Sequence, residues 1–134
     1  MASNPNKNGG VYNINTTQKK DKTGLIGKAL ISTPNVPVKI AEIRQQSVFG
    51  FITLRVSNIN DDPAVFSDLI IWISNAKKID DIADLDIIEY KIKLAGTASL
   101  VIPGLTLSPD EKIYVQSSMP NIVVRAEGSE NNPL

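Results

Sequence analysis

Apolar and polar residues alternate along most of the chain from Lys28 onward. In residues 51–57, Ile52, Leu54 and Val56 alternate with polar side chains. A period of two is typical of a β-strand with one buried face. Turn-forming residues separate such segments at intervals of about 8 to 12 residues. The pattern predicts an all-β fold, an antiparallel β-sandwich or jelly roll of about eight short strands. The other predicted strands are residues 28–31, 36–46, 69–73, 87–94, 99–102, 105–107, 112–117 and 122–127.

Interruptions of this pattern predict local features. The alternation slips after Ile40, which indicates a β-bulge near Ala41 and Glu42. Pro103 and Gly104 indicate a turn between two strands. Apolar residues spaced by three within 79–85 allow one or two helical turns.

The pattern also predicts which apolar side chains face the core. In residues 87–94, the alternation puts Ile88, Tyr90, Ile92 and Leu94 on one face. Trp72 has aliphatic neighbours, so we expect it in the core or between the sheets. The residues predicted to form much of the core are Ile52, Leu54, Val56, Leu69, Ile71, Ile92, Ile113, Val115, Ile122 and Val124.

The alternating region predicts three parts of the chain. Residues 1–24 hold few apolar side chains and are predicted to form a flexible N-terminal arm, residues 25–128 the sandwich, and residues 129–134 a polar tail. The arm is the predicted partner-binding segment. Its apolar residues are spaced to add a strand to an exposed sheet edge, and its lysines suit an acidic surface. The candidate binding residues are Val11, Tyr12, Ile14, Lys19, Lys20 and Lys22.

Charge and composition narrow the partners. The 14 Lys and Arg residues equal the 14 Asp and Glu residues, so the basic excess that most nucleic-acid binders carry is missing. We expect no nucleic-acid partner, and near-neutrality favours self-association. The longest aliphatic or aromatic run, residues 69–73, is too short to cross a bilayer, and the polar start has no secretory signal. We therefore expect no membrane partner and synthesis in a cytoplasm.

Catalytic chemistry has few candidates. The chain has no histidine and no cysteine, which removes common bases, nucleophiles and metal ligands. We predict no enzymatic activity, no cofactor and no metal. An acidic cluster could still hold calcium, which prefers carboxylate oxygens. The cluster does not have EF-hand spacing, and a solvated loop would explain it as well. Its carboxylates are Asp80, Asp81, Asp84, Asp86 and Glu89.

The C-terminal third carries a family resemblance. Residues 105–118, LTLSPDEKIYVQSS, and 121–130, NIVVRAEGSE, resemble the end of small virion proteins of tailed bacteriophages. Residues 38–43 and 53–58 are similar to early strands of the same group. The resemblance covers about residues 28–130 and implies a structural β-sandwich of the head, neck or tail. An acidic insertion at 75–86 and the basic arm before Gly24 depart from the pattern, which leaves the position in the virion open.

Two classes of function follow. The first is a structural virion protein, a capsid decoration (cement) protein bound to the outer shell through its N-terminal arm and sandwich edge, with a neck or tail connector as an alternative. Its partners would be the major capsid protein, other virion subunits or copies of itself, and its location the virion after assembly in the host cytoplasm. The second is a carbohydrate- or receptor-binding β-sandwich module. A concave aromatic groove near Trp72 or Tyr90 would favour the second class.

Overall fold

The computed structural model describes residues 22–43 and 49–131, and within them the chain is all-β, as predicted. Two 3₁₀ turns, Ile79–Asp81 and Asp84–Asp86, lie where the spacing of apolar residues predicted helical turns. The strands are β1 (Lys22–Ile31), β2 (Val38–Glu42), β3 (Phe49–Asn58), β4 (Ser67–Ser74), β5 (Ile87–Leu94), β6 (Ser99–Leu107), β7 (Lys112–Ser117) and β8 (Ile122–Asn131).

The strands form two four-stranded antiparallel sheets. The first sheet has the order β1-β8-β3-β6 and the second the order β2-β7-β4-β5. The first strand pairs with the eighth, the second with the seventh, the third with the sixth and the fourth with the fifth. This nesting is that of one long antiparallel hairpin wrapped around a core, which is the jelly-roll form of the β-sandwich.

The core lies between the two sheets and is built from the inward residues of each strand. Nine of the ten predicted core side chains are buried, and Ile92 is half-buried. Ile31, Leu94 and Leu107 join them at positions that the sequence analysis did not include in the core list. The period-two pattern therefore identifies most of the inter-sheet core, because the inward face of each strand is packed, although β4 and β7 are largely buried on both faces.

The predicted bulge in β2 is confirmed, one residue earlier than expected. The pairing with β7 shifts between Lys39 and Ala41, so the side chains of Ile40 and Ala41 are both buried. Beside this bulge β1 approaches β2 closely, since a Cβ atom on Gly27 would lie 2.0 Å from the carbonyl oxygen of Ile40. Only glycine fits at that position.

Pro103 and Gly104 do not end a strand, which corrects the sequence analysis. They form a bulge within the continuous strand β6, where the pairing shifts between Ile52 and Leu54 of β3. β6 is an edge strand, and a proline without an N–H group is tolerated there. Gly104 accommodates the bulge with a φ of 75°.

The predicted single face of β5 is wrong for its first half. The pairing with β4 skips Lys91 and Ile88, so the strand carries two irregularities, and Lys91 has a φ of 53°. Leu94 faces the core, whereas the Tyr90 side chain is 61% exposed. An extra residue in a strand reverses the face of the residues before it, up to the next irregularity.

The turn at 108–111 joins β6 to β7. The Glu111 N–H donates to the Ser108 carbonyl at 3.0 Å, as in a β-turn with Pro109 in its second position. Asp110 has a φ of 71°, which is the third position of a type II turn and not of type I.

Candidate binding surface

The predicted binding residues lie almost entirely outside the described part of the chain. Val11, Tyr12, Ile14, Lys19 and Lys20 precede it, so their role stays a prediction. Lys22 is the first residue of β1, and its backbone is paired with Glu130.

The sheet extends past both predicted boundaries of the sandwich. Residues 22–24, assigned to the arm, pair in β1 with residues 128–130 of β8. Residues 129–131, assigned to the polar tail, belong to β8, and Glu130 is buried. Polar residues can continue a strand at its ends, because their backbone N–H and C=O groups need hydrogen-bond partners as much as those of apolar residues do.

The outward side of the β1-β8-β3-β6 sheet, here called the open face, exposes large apolar side chains. Leu30 is 57% exposed, Phe51 52% and Val101 45%. They project away from the core because they alternate with buried residues along β1, β3 and β6. Exposed apolar side chains on one sheet face can contribute to a contact surface.

Three cations cross this open face side by side. Lys28 of β1 is paired with Arg125 of β8, and Arg125 is paired with Arg55 of β3. We call these three residues the basic row. Arg125 is partly neutralised, since its Nε lies 2.9 Å from a carboxylate oxygen of Glu127. In residues 22–43 and 49–131, neither Lys28 nor Arg55 forms an ion pair. Like charges directly opposite each other in a sheet repel, so the row favours an anionic partner.

A shallow depression lies at the β1–β8 end of the basic row. It has a volume of about 390 Å³. Ala29, Leu30 and Val123 give it an apolar surface, and Lys28 and Arg125 add positive charge. A small apolar group flanked by carboxylates would complement this depression in shape and charge.

The outward side of the second sheet is covered by its own connection. Trp72 of β4 is 8% exposed and Tyr114 of β7 is 3% exposed, although both point away from the inter-sheet core. The Tyr114 hydroxyl donates to the Ala76 carbonyl at 2.8 Å, and the turn Asp84–Asp86 contacts β4. Ala76 and the turn Asp84–Asp86 therefore lie against this face, and burial raises the pKa of the Tyr114 phenol.

The burial of Trp72 bears on the ligand-binding alternative. The predicted aromatic groove needs stacking rings that are accessible together. Trp72 is buried, and Tyr90 is exposed with the Lys91 ammonium 5.4 Å from its ring centroid. These two rings do not form an open groove.

The acidic residues of the connection face solvent. Asp80, Asp81 and Asp84 are exposed, and Asp86 is half-buried. Within the described residues, no three carboxylates come together as a metal site. The acidic cluster is thus a negatively charged surface opposite, in sign, to the basic row.

A buried amide at one end of the sandwich has a structural role. The Asn58 Nδ2 donates to the carbonyl oxygens of Val65 and Leu94, at 3.1 and 3.0 Å, and its Oδ1 accepts from the Asn60 backbone N–H. All polar atoms of this amide are used in joining loops. The Asn58 amide is therefore not a candidate for binding a ligand.

The free sheet edges are irregular. β5 and β6, which end the two sheets on the same side of the strand order, both carry bulges. Bulges interrupt the row of backbone groups that an added strand needs. The open face is thus a more regular surface for a partner than these edges.

The sequence analysis missed the basic row as a unit. Alternation with Leu54 and Val56 puts Arg55 on the outward face of its strand, but Lys28 and Arg125 are distant from it along the chain. Alternation gives the face of each strand and not the order of strands in the sheet. The pairing of β1, β8 and β3 was needed to join the three cations.

No protein-family model matches the chain, and no curated protein matches it. Among solved structures, the chain is similar to one described as the structure of Triatoma virus. The match covers 100% of this chain and 76% of that chain, with 14% identity and a TM-score of 0.35. A similarity at this level adds nothing to the jelly-roll fold established by the strand order. No helix in the described part of the chain is long and apolar enough to cross a membrane.

Proposed function

We propose that this chain is a structural protein of a virion, and specifically a capsid decoration subunit of a tailed bacteriophage. Its role is binding and assembly without catalysis. The observation that carries the proposal is the open face, which combines the exposed Leu30, Phe51 and Val101 with the basic row. A subunit that works alone in solution gains nothing from such a face, whereas an assembled subunit covers it.

The fold is compatible with this role but does not distinguish it from other roles. Jelly rolls occur in viral capsid domains, in lectins and in cupins, and one fold serves many functions. The burial of Trp72 argues against the sugar-binding alternative. The assignment to tailed bacteriophages, with the major capsid protein as partner, rests on the resemblance of residues 105–130 to their virion proteins.

The surface that meets the shell is best proposed as the open face together with residues 1–21. The sequence analysis favoured the arm and a sandwich edge. The bulges of β5 and β6 make those edges poor templates for an added strand. The arm leads into Lys22 at the start of β1, which is an edge strand of the sheet that bears the open face.

Purified particles give the direct test. Quantitative mass spectrometry of virions should find this chain at a copy number comparable to that of the shell subunit. A copy number matching a single ring would favour the neck or tail connector instead. If the chain is abundant in infected lysates and missing from purified particles, the proposal is wrong.

A pair of substitutions tests the surface. Val101→Glu places a charge on the open face and should reduce retention of the subunit on particles by about tenfold or more, because it desolvates a carboxylate against the partner. Phe66→Glu is the matched control, since Phe66 is also about half exposed, at 52%, and lies outside the open face. Equal retention of the two variants would contradict docking through the open face.

A further inference from the structure

Leu85 is the most exposed large apolar residue of the described chain, at 97%. It lies in the 3₁₀ turn Asp84–Asp86, between two aspartates. The turn is held by two hydrogen bonds, from the Asp86 N–H to the Ala83 carbonyl at 3.0 Å and from the Ala83 N–H to the Asp86 carboxylate at 3.2 Å. Leu85 is thus an apolar side chain presented by a hydrogen-bonded turn, and folding of this chain gives it no cover.

The surroundings of Leu85 are strongly acidic. Residues 79–86, here called the acidic segment, contain four aspartates and no lysine or arginine. Lys77, which precedes the segment, lines a separate depression with Glu42 and Asp110. The acidic segment, which begins directly after Lys78, therefore presents Leu85, together with Ile79 at 45% exposure, within a field of negative charge.

The depression on the open face has the complementary chemistry. Its apolar surface is formed by Ala29, Leu30 and Val123, and its charged residues are Lys28 and Arg125. Lys28 lies directly opposite Arg125 in the sheet, a repulsion that nearby carboxylates would relieve. A leucine flanked by carboxylates would therefore complement both the apolar surface and the positive charge of this depression.

We propose that the acidic segment of one copy docks on the open face of a second copy, with Leu85 in the β1–β8 depression. Asp84 and Asp86 then face Lys28 and Arg125. The contact removes an almost fully exposed leucine from water and places opposite charges together. It occupies only the β1–β8 end of the open face, since Phe51 and Val101 do not line the depression, and it is measured on the chain in solution, apart from the proposed virion role.

The two surfaces cannot meet within one molecule. The acidic segment connects β4 and β5 and packs over the outward side of the second sheet, whereas the depression lies on the outward side of the first. The contact is therefore head-to-tail, and it leaves one free surface of each kind on every dimer. Repetition of such a contact gives a ring if the rotation closes and an open chain if it does not.

Charge reversal on each surface tests the proposal with the full-length protein. One variant carries Lys28→Glu and Arg55→Glu, and the other carries Asp80→Lys, Asp81→Lys and Asp84→Lys. Sedimentation velocity at low salt should show concentration-dependent association of the wild type, weakened by at least about tenfold in each variant, because like charges then face each other. Mixing the two variants should restore association, since each reversed surface then meets an oppositely charged one.

Leu85→Ser tests the apolar part of the contact. It should weaken association by about tenfold. Ile59→Ser is the matched control, because Ile59 is also exposed, at 52%, and lies outside both surfaces. Circular dichroism of every variant checks that the fold is kept.

Several outcomes would overturn the contact. These are a wild type that stays monomeric at millimolar concentration and low salt, folded charge-reversal variants that associate like the wild type, and a mixture that associates no better than its components. If Leu85→Ser and Ile59→Ser behave alike, Leu85 does not fill the depression. Presence or absence of the chain in purified virions is a separate result and tests only the proposed function.

Discussion

The Tyr114 phenol links the covered side of the second sheet to the stability of the domain at high pH. Burial raises its pKa above the ordinary value of 10.0, so the unfolded chain loses this proton at a lower pH than the folded chain. The contribution of Tyr114 to stability is therefore complete below the ordinary phenol pKa and is lost as pH rises through the folded value.

Tyr114→Phe should flatten this dependence. The free energy of unfolding of the wild type should fall more steeply than that of the variant as the pH rises above the ordinary phenol pKa. At neutral pH the variant should be less stable by about 1 kcal/mol, because the hydrogen bond to the Ala76 carbonyl is lost. Urea titrations across pH measure both effects. Tyr90→Phe, at an exposed position, should keep the wild-type slope, and an equal flattening there would contradict the assignment.

Leu54 and Leu30 make a matched pair for testing the faces of the first sheet. Leu54 is fully buried and Leu30 is 57% exposed. Leu54→Ala should cost about 2–5 kcal/mol in unfolding free energy, because it removes buried apolar area and leaves a cavity. Leu30→Ala should cost less than about 0.5 kcal/mol. A cost below half a kcal/mol for Leu54→Ala would show that this residue is not packed in the core.

At the scale of single strands, the sequence predicts face and type well and irregularities poorly. The period of two holds through 51–57 because β3 is regular and lies between two neighbours. It fails in β5, where Ile88 and Tyr90 read as inward residues, since a bulge reverses the face and leaves no fixed sequence signal. Pro103 and Gly104 were read as a turn for a related reason: the same residue types serve turns and edge-strand bulges.

The connection 75–86 is an element whose packing can be tested with the single tryptophan. Trp72 is buried on the outward side of the second sheet, and the connection joins β4 and β5, which are adjacent antiparallel strands. A short Gly-Ser turn could therefore replace residues 77–86 without changing the order of strands.

The replacement should shift Trp72 fluorescence to longer wavelength and raise its quenching by acrylamide, because the ring gains contact with water. Circular dichroism should still show a β-fold, since the inter-sheet core does not use the connection. Denatured wild type gives the fully exposed reference, and the intact wild type gives the protected one. An unchanged emission maximum in a folded variant would mean that the strands themselves shield Trp72.

For the whole molecule, the class of fold follows from the number of strands and their spacing, whereas the binding surface does not. The jelly-roll order joins β1, the first described strand, to β8, the last, and this pairing together with that of β8 and β3 creates the basic row. Long-range pairing is set by how all the strands bury their apolar faces together, and no local pattern encodes it. The candidate site that sequence did indicate, Val11 to Lys22, depends on an arm outside the described strands.

The N-terminal arm can be tested by deletion, and the pairing of β1 with β8 shows that the deletion should end before Lys22. Deletion of residues 1–24, the predicted arm, would remove the first three residues of β1 and their pairing with β8. Deletion of residues 1–21 keeps every residue of the described strands. The shortened chain should unfold within a few degrees of the full chain, because the inter-sheet core of the described residues, with the side chains packed against it, lies within residues 26–126.

Incorporation of the shortened chain into particles should nonetheless fall sharply. We expect Val11, Tyr12 and Ile14 to add a strand to a neighbouring subunit, and Lys19 and Lys20 to add positive charge to the same contact. Without these residues the contact is lost. Competition of tagged full-length and shortened chains for the same particles measures the difference directly. Replacing residues 1–21 by a Gly-Ser segment of equal length is the control for simple tethering. If the shortened chain is incorporated as well as the full chain, attachment depends on the sandwich alone, and the open face becomes the surface to mutate next.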